Sequence, residues 1–103
     1  MSNSRGNIKF EYMYRDAGNY KQYGSVVFAR QTDMEIAEVE KAIRSRLIDE
    51  MYFVAGEWGV PALHAYAYDE DLDHGWHEFV GVEETEDAAG DGRTMEGFLK
   101  RVI

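Results

Sequence analysis

The segment that decides the fold runs from Ile8 to Arg15 and reads IKFEYMYR. Apolar side chains recur at every second position, which is the period of a strand that buries one face. One face receives Ile8, Phe10, Tyr12 and Tyr14, and the other receives Lys9, Glu11, Met13 and Arg15. We therefore expect a half-buried β-strand, around which a sheet is built.

A second strand is indicated by the continuous apolar run Val26, Val27 and Phe28, a pattern typical of a strand covered on both faces. The residues from Arg15 to Gly24 contain several turn formers and predict a hairpin with a long loop. Because a plain solvent loop does not need aromatic residues, we expect Tyr20 and Tyr23 to pin this loop to the core.

Two helices are predicted, one in the middle of the chain and one at its end. Thr32 and Glu35 have the spacing of a capping box, so the first helix is expected at about residues 33–50. Its apolar stripe consists of Ile36, Val39, Ile43 and Leu47. Thr94 can cap the final helix, whose apolar residues are Phe98, Leu99 and Val102.

Between these helices the pattern predicts two more strands. Residues 55–61 are expected to form a turn or a short helical piece, and Leu63–Tyr68 a third strand. The last strand is expected at residues 76–82, with Trp76, Val80 and Val82 on one side. Phe79 interrupts that alternation, which allows a bulge or burial of both faces. Residues 83–92 are acidic and contain glycine, so they predict a mobile linker.

The predicted element order is β-β-α-β-β-α. It corresponds to an α+β fold in two layers, with a small, mainly antiparallel sheet of about four strands packed against two helices. A length of 103 residues leaves room for one core, so residues 1–103 are expected to form a single domain.

Charge is distributed unevenly along the chain. The 46 residues from Leu47 to Gly92 contain no Lys or Arg, but they hold 13 of the 20 acidic residues and all three histidines. The net charge of −9 disfavours direct binding to nucleic acid or anionic lipid and attracts cations or basic protein surfaces.

Several classes of protein are excluded or disfavoured by composition. The chain has no cysteine, so disulfides, thiolate metal sites and cysteine nucleophiles are excluded. No apolar run approaches the ~20 residues of a membrane span. Residues 1–6 lack the apolar segment of a secretory signal, and we therefore expect a cytoplasmic protein with no membrane association.

Two phrases of the sequence resemble a known group. They are Tyr14–Lys21, which reads YRDAGNYK, and Asp73–Phe79, which reads DHGWHEF; the likeness also includes Gly59-Val60-Pro61 and extends over most of the chain. Together they resemble a group of small uncharacterised bacterial cytoplasmic proteins. The resemblance implies a bacterial, cytoplasmic setting, and it supplies no catalytic residues because the group has no established activity.

The segment Asp69–Glu78 is the candidate for metal chemistry. Asp69, Asp71 and Asp73 fit the first three ligand positions of an EF-hand loop, and carboxylate oxygens suit Ca²⁺. The match fails further on, because His74 stands where the loop needs glycine and Val80 where it needs a bidentate Glu. We expect no metal and no cofactor. The weak candidate ligands are Asp71, Asp73, His74 and His77.

A second candidate cluster surrounds the predicted hairpin loop. Arg15 and Lys21 can hold an anionic group and Tyr20 can stack on a ring, although Asp16 and Asn19 can equally well serve to satisfy the loop backbone. If the first and last strands pair antiparallel, Arg15, Asp16, His77 and Glu78 share one rim of the sheet. The resulting ligand-binding candidates are Tyr14, Arg15, Asp16, Asn19, Tyr20, Lys21, Trp76, His77 and Glu78.

No catalytic motif accompanies these residues. Neither a nucleophile elbow nor a phosphate-binding glycine loop occurs, and we predict no catalytic residue. The preferred interpretation is a small non-enzymatic interaction or ligand-binding module, with a protein partner or self-association as a homodimer. Two alternatives stay open: a metal- or small-ligand-dependent enzyme centred on His74–Glu78, and an acidic decoy that binds a basic nucleic-acid-binding protein.

Overall fold

Four strands form one antiparallel sheet in the order β2-β1-β4-β3. The computed structural model describes residues 6–15, 21–30, 34–61, 63 and 76–102. Its elements are β1 (Asn7–Arg15), β2 (Lys21–Phe28), α1 (Ile36–Arg44), β3 (Tyr52–Val54), α2 (Ala55–Trp58), β4 (Trp76–Thr85) and α3 (Met95–Val102). The predicted α+β class and the four-stranded antiparallel sheet are confirmed, but the described residues form three helices and not two.

The core lies on one side of the sheet, which we call the inner face. The predicted inward set of β1 is confirmed, since Ile8, Phe10, Tyr12 and Tyr14 are buried, but Met13 on the other face is also buried. The ring of Phe10 lies at the centre of the core, with the rings of four other aromatic residues within 6.2 Å of it in addition to that of Tyr12. The buried residues of the helices belong to this same core and are Val39 and Ile43 of α1, Ala55 and Trp58 of α2, and Met95, Phe98 and Leu99 of α3.

The first helix is shorter than predicted. Glu35 is its N-cap and forms a capping box with Glu38, whereas Thr32 lies outside the described residues. The helix ends at Arg44, and the chain then turns through Asp49 and Glu50, which both have positive φ. The prediction of helix up to residue 50 is wrong because this turn leads the chain directly into β3.

Strand β2 begins five residues before the predicted apolar run, at Lys21, and it forms an edge of the sheet. Only Phe28 of the strand is buried, so the prediction of a strand covered on both faces is wrong. Tyr23 belongs to the strand and is 67% exposed, which also contradicts its predicted role in pinning a loop to the core. Gly24 gives room to Leu63, since a Cβ at this glycine would stand 2.7 Å from a methyl group of Leu63.

The sequence pattern did not predict β3, a strand of three residues. The short helical piece expected after it is confirmed as α2, which ends at Gly59 in the left-handed conformation that favours glycine. The third strand predicted at Leu63–Tyr68 lies outside the described residues, apart from Leu63.

Strand β4 contains a bulge, which is one of the two alternatives that the sequence left open. Phe10 lies opposite Val82 and Tyr12 lies opposite Phe79, so β4 has one residue more than β1 between these pairs. Phe79 and Val82 therefore both pack on the core, while Val80 is exposed. The prediction that Val82 shares a side with Trp76 and Val80 is wrong for this reason.

The residues after β4 are fixed by hydrogen bonds and do not form the predicted linker. The amides of Gly90 and Asp91 donate to the carbonyl of Val27, at 3.2 and 3.3 Å. Thr94 caps α3 as predicted, accepting a hydrogen bond from the amide of Gly97 at 3.0 Å. Among the described helices, none has the length and apolar character required to cross a membrane.

Candidate functional site

The candidate site lies on the side of the sheet opposite the core, which we call the outer face. Strands β1 and β4 pair antiparallel as predicted, and this pairing brings the end of β1 beside the start of β4. The Nε of Arg15 donates a hydrogen bond to Oε2 of Glu78 at 3.0 Å. The Glu78 side chain is only 12% exposed, so part of this ion pair is shielded from water.

Aromatic residues surround this ion pair. Tyr52 lies opposite Glu78 in the β3–β4 ladder, and its ring centroid is 5.6 Å from that of Trp76. The pKa of Arg15 is raised by its hydrogen bond to Glu78 and by the charge of that carboxylate, with smaller contributions from Tyr52 and Tyr23. The guanidinium is thus within electrostatic reach of two phenol groups. We call Arg15, Glu78, Tyr23, Tyr52 and Trp76 the outer-face cluster.

The charges on the outer face balance each other. Lys9 lies 3.9 Å from both Glu11 and Glu83, while Arg15 pairs with Glu78. The register places three cationic side chains (Lys9, Arg15 and Lys21) and three acidic ones (Glu11, Glu78 and Glu83) on the described part of this face. Because the chain carries −9, its excess negative charge lies elsewhere.

Tyr14 and His77 lie on the inner face and not on the predicted rim. His77 is fully buried, with its ring centroid 5.1 Å from that of Tyr14. Its Nε2 accepts a hydrogen bond from the amide of Leu63 at 2.9 Å, which requires the lone pair of a neutral imidazole nitrogen. Beside it, the hydroxyl of Tyr12 donates to the carbonyl of Pro61 at 2.6 Å, and burial raises the pKa of Tyr12 to about 12. Tyr12 and His77 therefore hold Pro61 and Leu63 against the sheet.

The predicted site residues are thus divided between two faces. The outer face holds Arg15, Trp76 and Glu78, together with Lys21, which lies opposite Arg15 in the hairpin. The remaining candidates lie outside the described residues and are Asp16, Asn19, Tyr20, Asp71, Asp73 and His74. Within the described ranges, no three His, Asp or Glu residues are grouped so that they could hold a metal ion.

Sequence reasoning missed two members of the outer-face cluster. Tyr52 belongs to the unpredicted strand β3, although the run Tyr52-Phe53-Val54 consists of three good strand formers and could have indicated it. Tyr23 was assigned to a loop because Gly24 follows it, but here the glycine serves to accommodate Leu63 and does not end the strand.

Comparison with known proteins identified no relative of this chain. No protein-family model matches the chain, and no curated protein or solved structure matches it either.

Proposed function

We propose that this protein is a small non-enzymatic interaction module of the bacterial cytoplasm, which binds a protein partner through the outer face of its sheet. The observation that carries the proposal is the placement of the helices. All the described helices contribute their buried residues to the core on the inner face. Tyr23, Trp76 and Val80 are exposed on the outer face, which is opposite the face on which the described helices pack.

The chemistry of the outer face resembles that of a protein interface. Tyr, Trp and Arg are enriched at the centre of such interfaces, while unpaired acidic residues are depleted. The outer-face cluster contains these three residue types, and its acid is bonded to Arg15. A balanced, partly apolar face suits a protein surface better than it suits a polyanion or a basic groove.

The contacts of the titratable groups favour binding over catalysis. A general acid or base must come within hydrogen-bond reach of a substrate. His77 is buried, and its Nε2 lone pair is already occupied by the amide of Leu63. Glu78 is held by Arg15 on the other face of the sheet, so these two groups cannot act on one substrate.

The ion pairs also count against the acidic decoy. A decoy needs carboxylates that are free to meet the basic groups of its target. Glu84 instead lies 2.8 Å from Arg30, and Asp91 lies 2.8 Å from Arg93. Both acids belong to the segment Leu47–Gly92, which contains no Lys or Arg, and each is paired with an arginine from outside that segment. These two carboxylates are therefore not free to bind a basic target.

The proposal is tested by capture on immobilised protein, from bacterial extract and from a differently tagged second copy of the chain. The test variant combines Trp76→Ser with Val80→Ser, which removes side chains that are 42% and 45% exposed on the outer face. The control variant is Met51→Ser, which removes an apolar side chain of similar exposure, 44%, from the turn before β3.

We expect wild type and the Met51→Ser control to capture the same protein, and the double variant to retain less than about a tenth of it. All three should keep the same circular dichroism spectrum, because none of the changed side chains is buried. Equal capture by all three, or no specific capture by the wild type, would contradict the proposal.

A further inference from the structure

The two edges of the sheet differ in how their main-chain groups are paired. The β3 edge is only three residues long, and the chain itself closes it. The amide of Ile48 donates to the carbonyl of Tyr52 at 2.8 Å, and the amide of Tyr52 donates to the carbonyl of Ile48 at 2.9 Å. Few main-chain groups on the β3 edge are therefore available to pair with another strand.

The β2 edge is eight residues long, and the described residues cover only its second half. The carbonyl of Val27 points away from β1, since it accepts the amides of Gly90 and Asp91. In an antiparallel ladder, the main-chain groups of alternate residues face the same side. Those of Lys21, Tyr23 and Ser25 must therefore also point outward, and no described residue pairs with them there. We call residues 21–25 the open edge.

Natural proteins protect exposed edges with prolines, bulges, short strands or charged side chains, lysine in particular. The open edge has no proline, and the β1–β2 register runs without a shift from Arg15 and Lys21 to Ile8 and Phe28. Lys21, at its end, is its single charged residue. The edge therefore keeps the regular geometry that pairing with another strand requires.

Charge also favours contact at this place. The chain carries −9, so two copies repel each other over most of their surfaces. Strand β2 contains no acidic residue, and Lys21 is its only charge. Two copies that meet along β2 thus approach along strands that bring no acidic side chains together.

We propose that the open edge pairs antiparallel with the open edge of a second copy, across a twofold axis at Tyr23, so that two sheets become one of eight strands. This inference goes beyond the proposed function, because the contact lies along the β2 edge of the sheet and not on its outer face. The axis sets Tyr23 of the two copies opposite each other and Lys21 of one copy opposite Ser25 of the other. Each of these pairs can exchange two main-chain hydrogen bonds, about six in total.

Neighbouring registers are less favourable. An axis moved towards Val27 would require the carbonyl that Gly90 and Asp91 already occupy. An axis moved towards Lys21 would use fewer open groups and bring the two Lys21 side chains together, and like charges opposite each other destabilise a sheet. The axis at Tyr23 uses the whole open edge and avoids both penalties.

The side chain of Tyr23 gains the most contact from this pairing. Its side chain lies on the outer face and is 67% exposed in the single chain. Across the axis, the two tyrosine rings form an aromatic cross-strand pair. The edge spans only ~16 Å at about 3.3 Å per residue, which places the contact among the small, weak and reversible interfaces. Dimerisation should therefore depend on concentration.

The test is sedimentation velocity on the full chain from about 10 μM to about 1 mM, a range suited to weak association. We expect the mass of the wild type to rise from 11.9 kDa towards twice that value. Tyr23→Lys should weaken the association at least tenfold, because it sets two lysines opposite each other. Met51→Lys is the matched control, since it makes the same change of charge at an exposed side chain that lies outside β2 and outside the proposed binding face, and it should associate at least as well as the wild type.

Two further measurements keep the test independent of side chains. Ser25→Pro removes an outward-pointing amide without breaking the β1–β2 ladder, and it should also abolish the dimer. Amide exchange at Tyr23 and Ser25 in the wild type should slow at least tenfold between the lowest and highest concentrations, while an α1 amide such as that of Ile43 stays unchanged. Spectra of both variants at low concentration verify that the monomer is folded.

The outcomes separate the inference from the proposed function. A wild-type chain that stays monomeric at about 1 mM overturns the inference, and the capture experiment then decides the proposed function alone. A dimer that ignores Tyr23→Lys and Ser25→Pro but is lost when Trp76→Ser is combined with Val80→Ser also overturns edge pairing, and it supports binding through the outer face instead.

Discussion

Arg93 should contribute more to stability than any other surface arginine of the described chain. It forms two hydrogen bonds with the carboxylate of Asp91, at 2.9 and 2.8 Å. It also donates to the carbonyls of Trp58 at 3.1 Å and Gly59 at 2.8 Å. Arg93 thereby joins the end of α2 to the start of α3, and we expect Arg93→Met to loosen this junction.

The magnitude follows from these contacts. Two hydrogen bonds from a charged donor to carbonyls contribute about 2 kcal/mol after allowance for partial exposure, and the ion pair adds at most about 1 kcal/mol. The guanidinium also lies 5.3 Å from the ring centroids of both Phe28 and Phe98. These cation–π contacts add roughly 1 kcal/mol, part of which Met recovers by packing on the rings. We expect a loss of about 3 kcal/mol.

The assay is urea denaturation followed by circular dichroism, with thermal unfolding as a second measure. A loss of about 3 kcal/mol should lower Tm by roughly 10–20 °C in a domain of this size. Arg101→Met is the control, because the described contact of Arg101 is a single exposed hydrogen bond to the carbonyl of Glu57 at 3.1 Å. A cost below about 1 kcal/mol for Arg93→Met, or one equal to that of the control, would refute the reasoning.

The contact between Arg93 and Asp91 should also make the stability of the fold depend on pH. The hydrogen bonds from Arg93 lower the pKa of Asp91 below its ordinary value. A carboxyl group with a lowered pKa in the folded state stabilises the fold above its unfolded pKa of about 3.9, and this contribution is lost as pH falls towards the folded pKa. Arg93→Met should therefore lose less stability than the wild type on acidification from about pH 5 to about pH 2. Parallel acid profiles would contradict this expectation.

Three further substitutions test separate parts of the structure. Arg30 is only 5% exposed; its Nη1 donates to Glu84 at 2.8 Å, but its buried Nε and Nη2 have no described partner. Arg30→Met should therefore leave the stability in urea unchanged or raise it by about 1 kcal/mol. A loss of more than about 1 kcal/mol would contradict this account. Tyr12→Phe should cost about 1 kcal/mol. The stability contributed by the neutral Tyr12 hydroxyl is present below the ordinary tyrosine pKa of 10.0 and is lost as pH rises towards the raised pKa of about 12. The difference in phenolate absorbance between wild type and Tyr12→Phe should therefore have its midpoint near pH 12. A midpoint near 10.0 would contradict this expectation. His77→Phe should cost about 1–3 kcal/mol in urea, since it leaves a backbone amide without its acceptor, and an unchanged midpoint would show that this hydrogen bond is unimportant.

Much of the fold could be predicted because its signals are local. The alternation of β1 and the cap of α3 at Thr94 each depend on residues a few positions apart. The bulge in β4 was anticipated from Phe79 alone. The prediction of α1 was wrong where a competing contact decides the conformation. The turn after α1 is closed by pairing of Ile48 with Tyr52, which competes with further helix.

The candidate site could be predicted only in part. Antiparallel pairing of the first and last strands was enough to bring Arg15 to Glu78. The face on which each side chain lies was harder to assign, because the two faces alternate along each strand. His77 therefore points into the core while its neighbours Trp76 and Glu78 lie on the outer face.

The sequence by itself determined the α+β class, the central strand and the concentration of acids between Leu47 and Gly92, since periodicity and charge are properties of consecutive residues. Only the tertiary structure decided that Tyr52 joins the sheet, that Arg93 holds α2 to α3, and that the β3 edge is closed while the β2 edge stays half open. The physical reason is that backbone hydrogen bonds and partly buried ion pairs link residues far apart in the chain. Whether a given strand edge or charge finds a partner depends on that long-range arrangement.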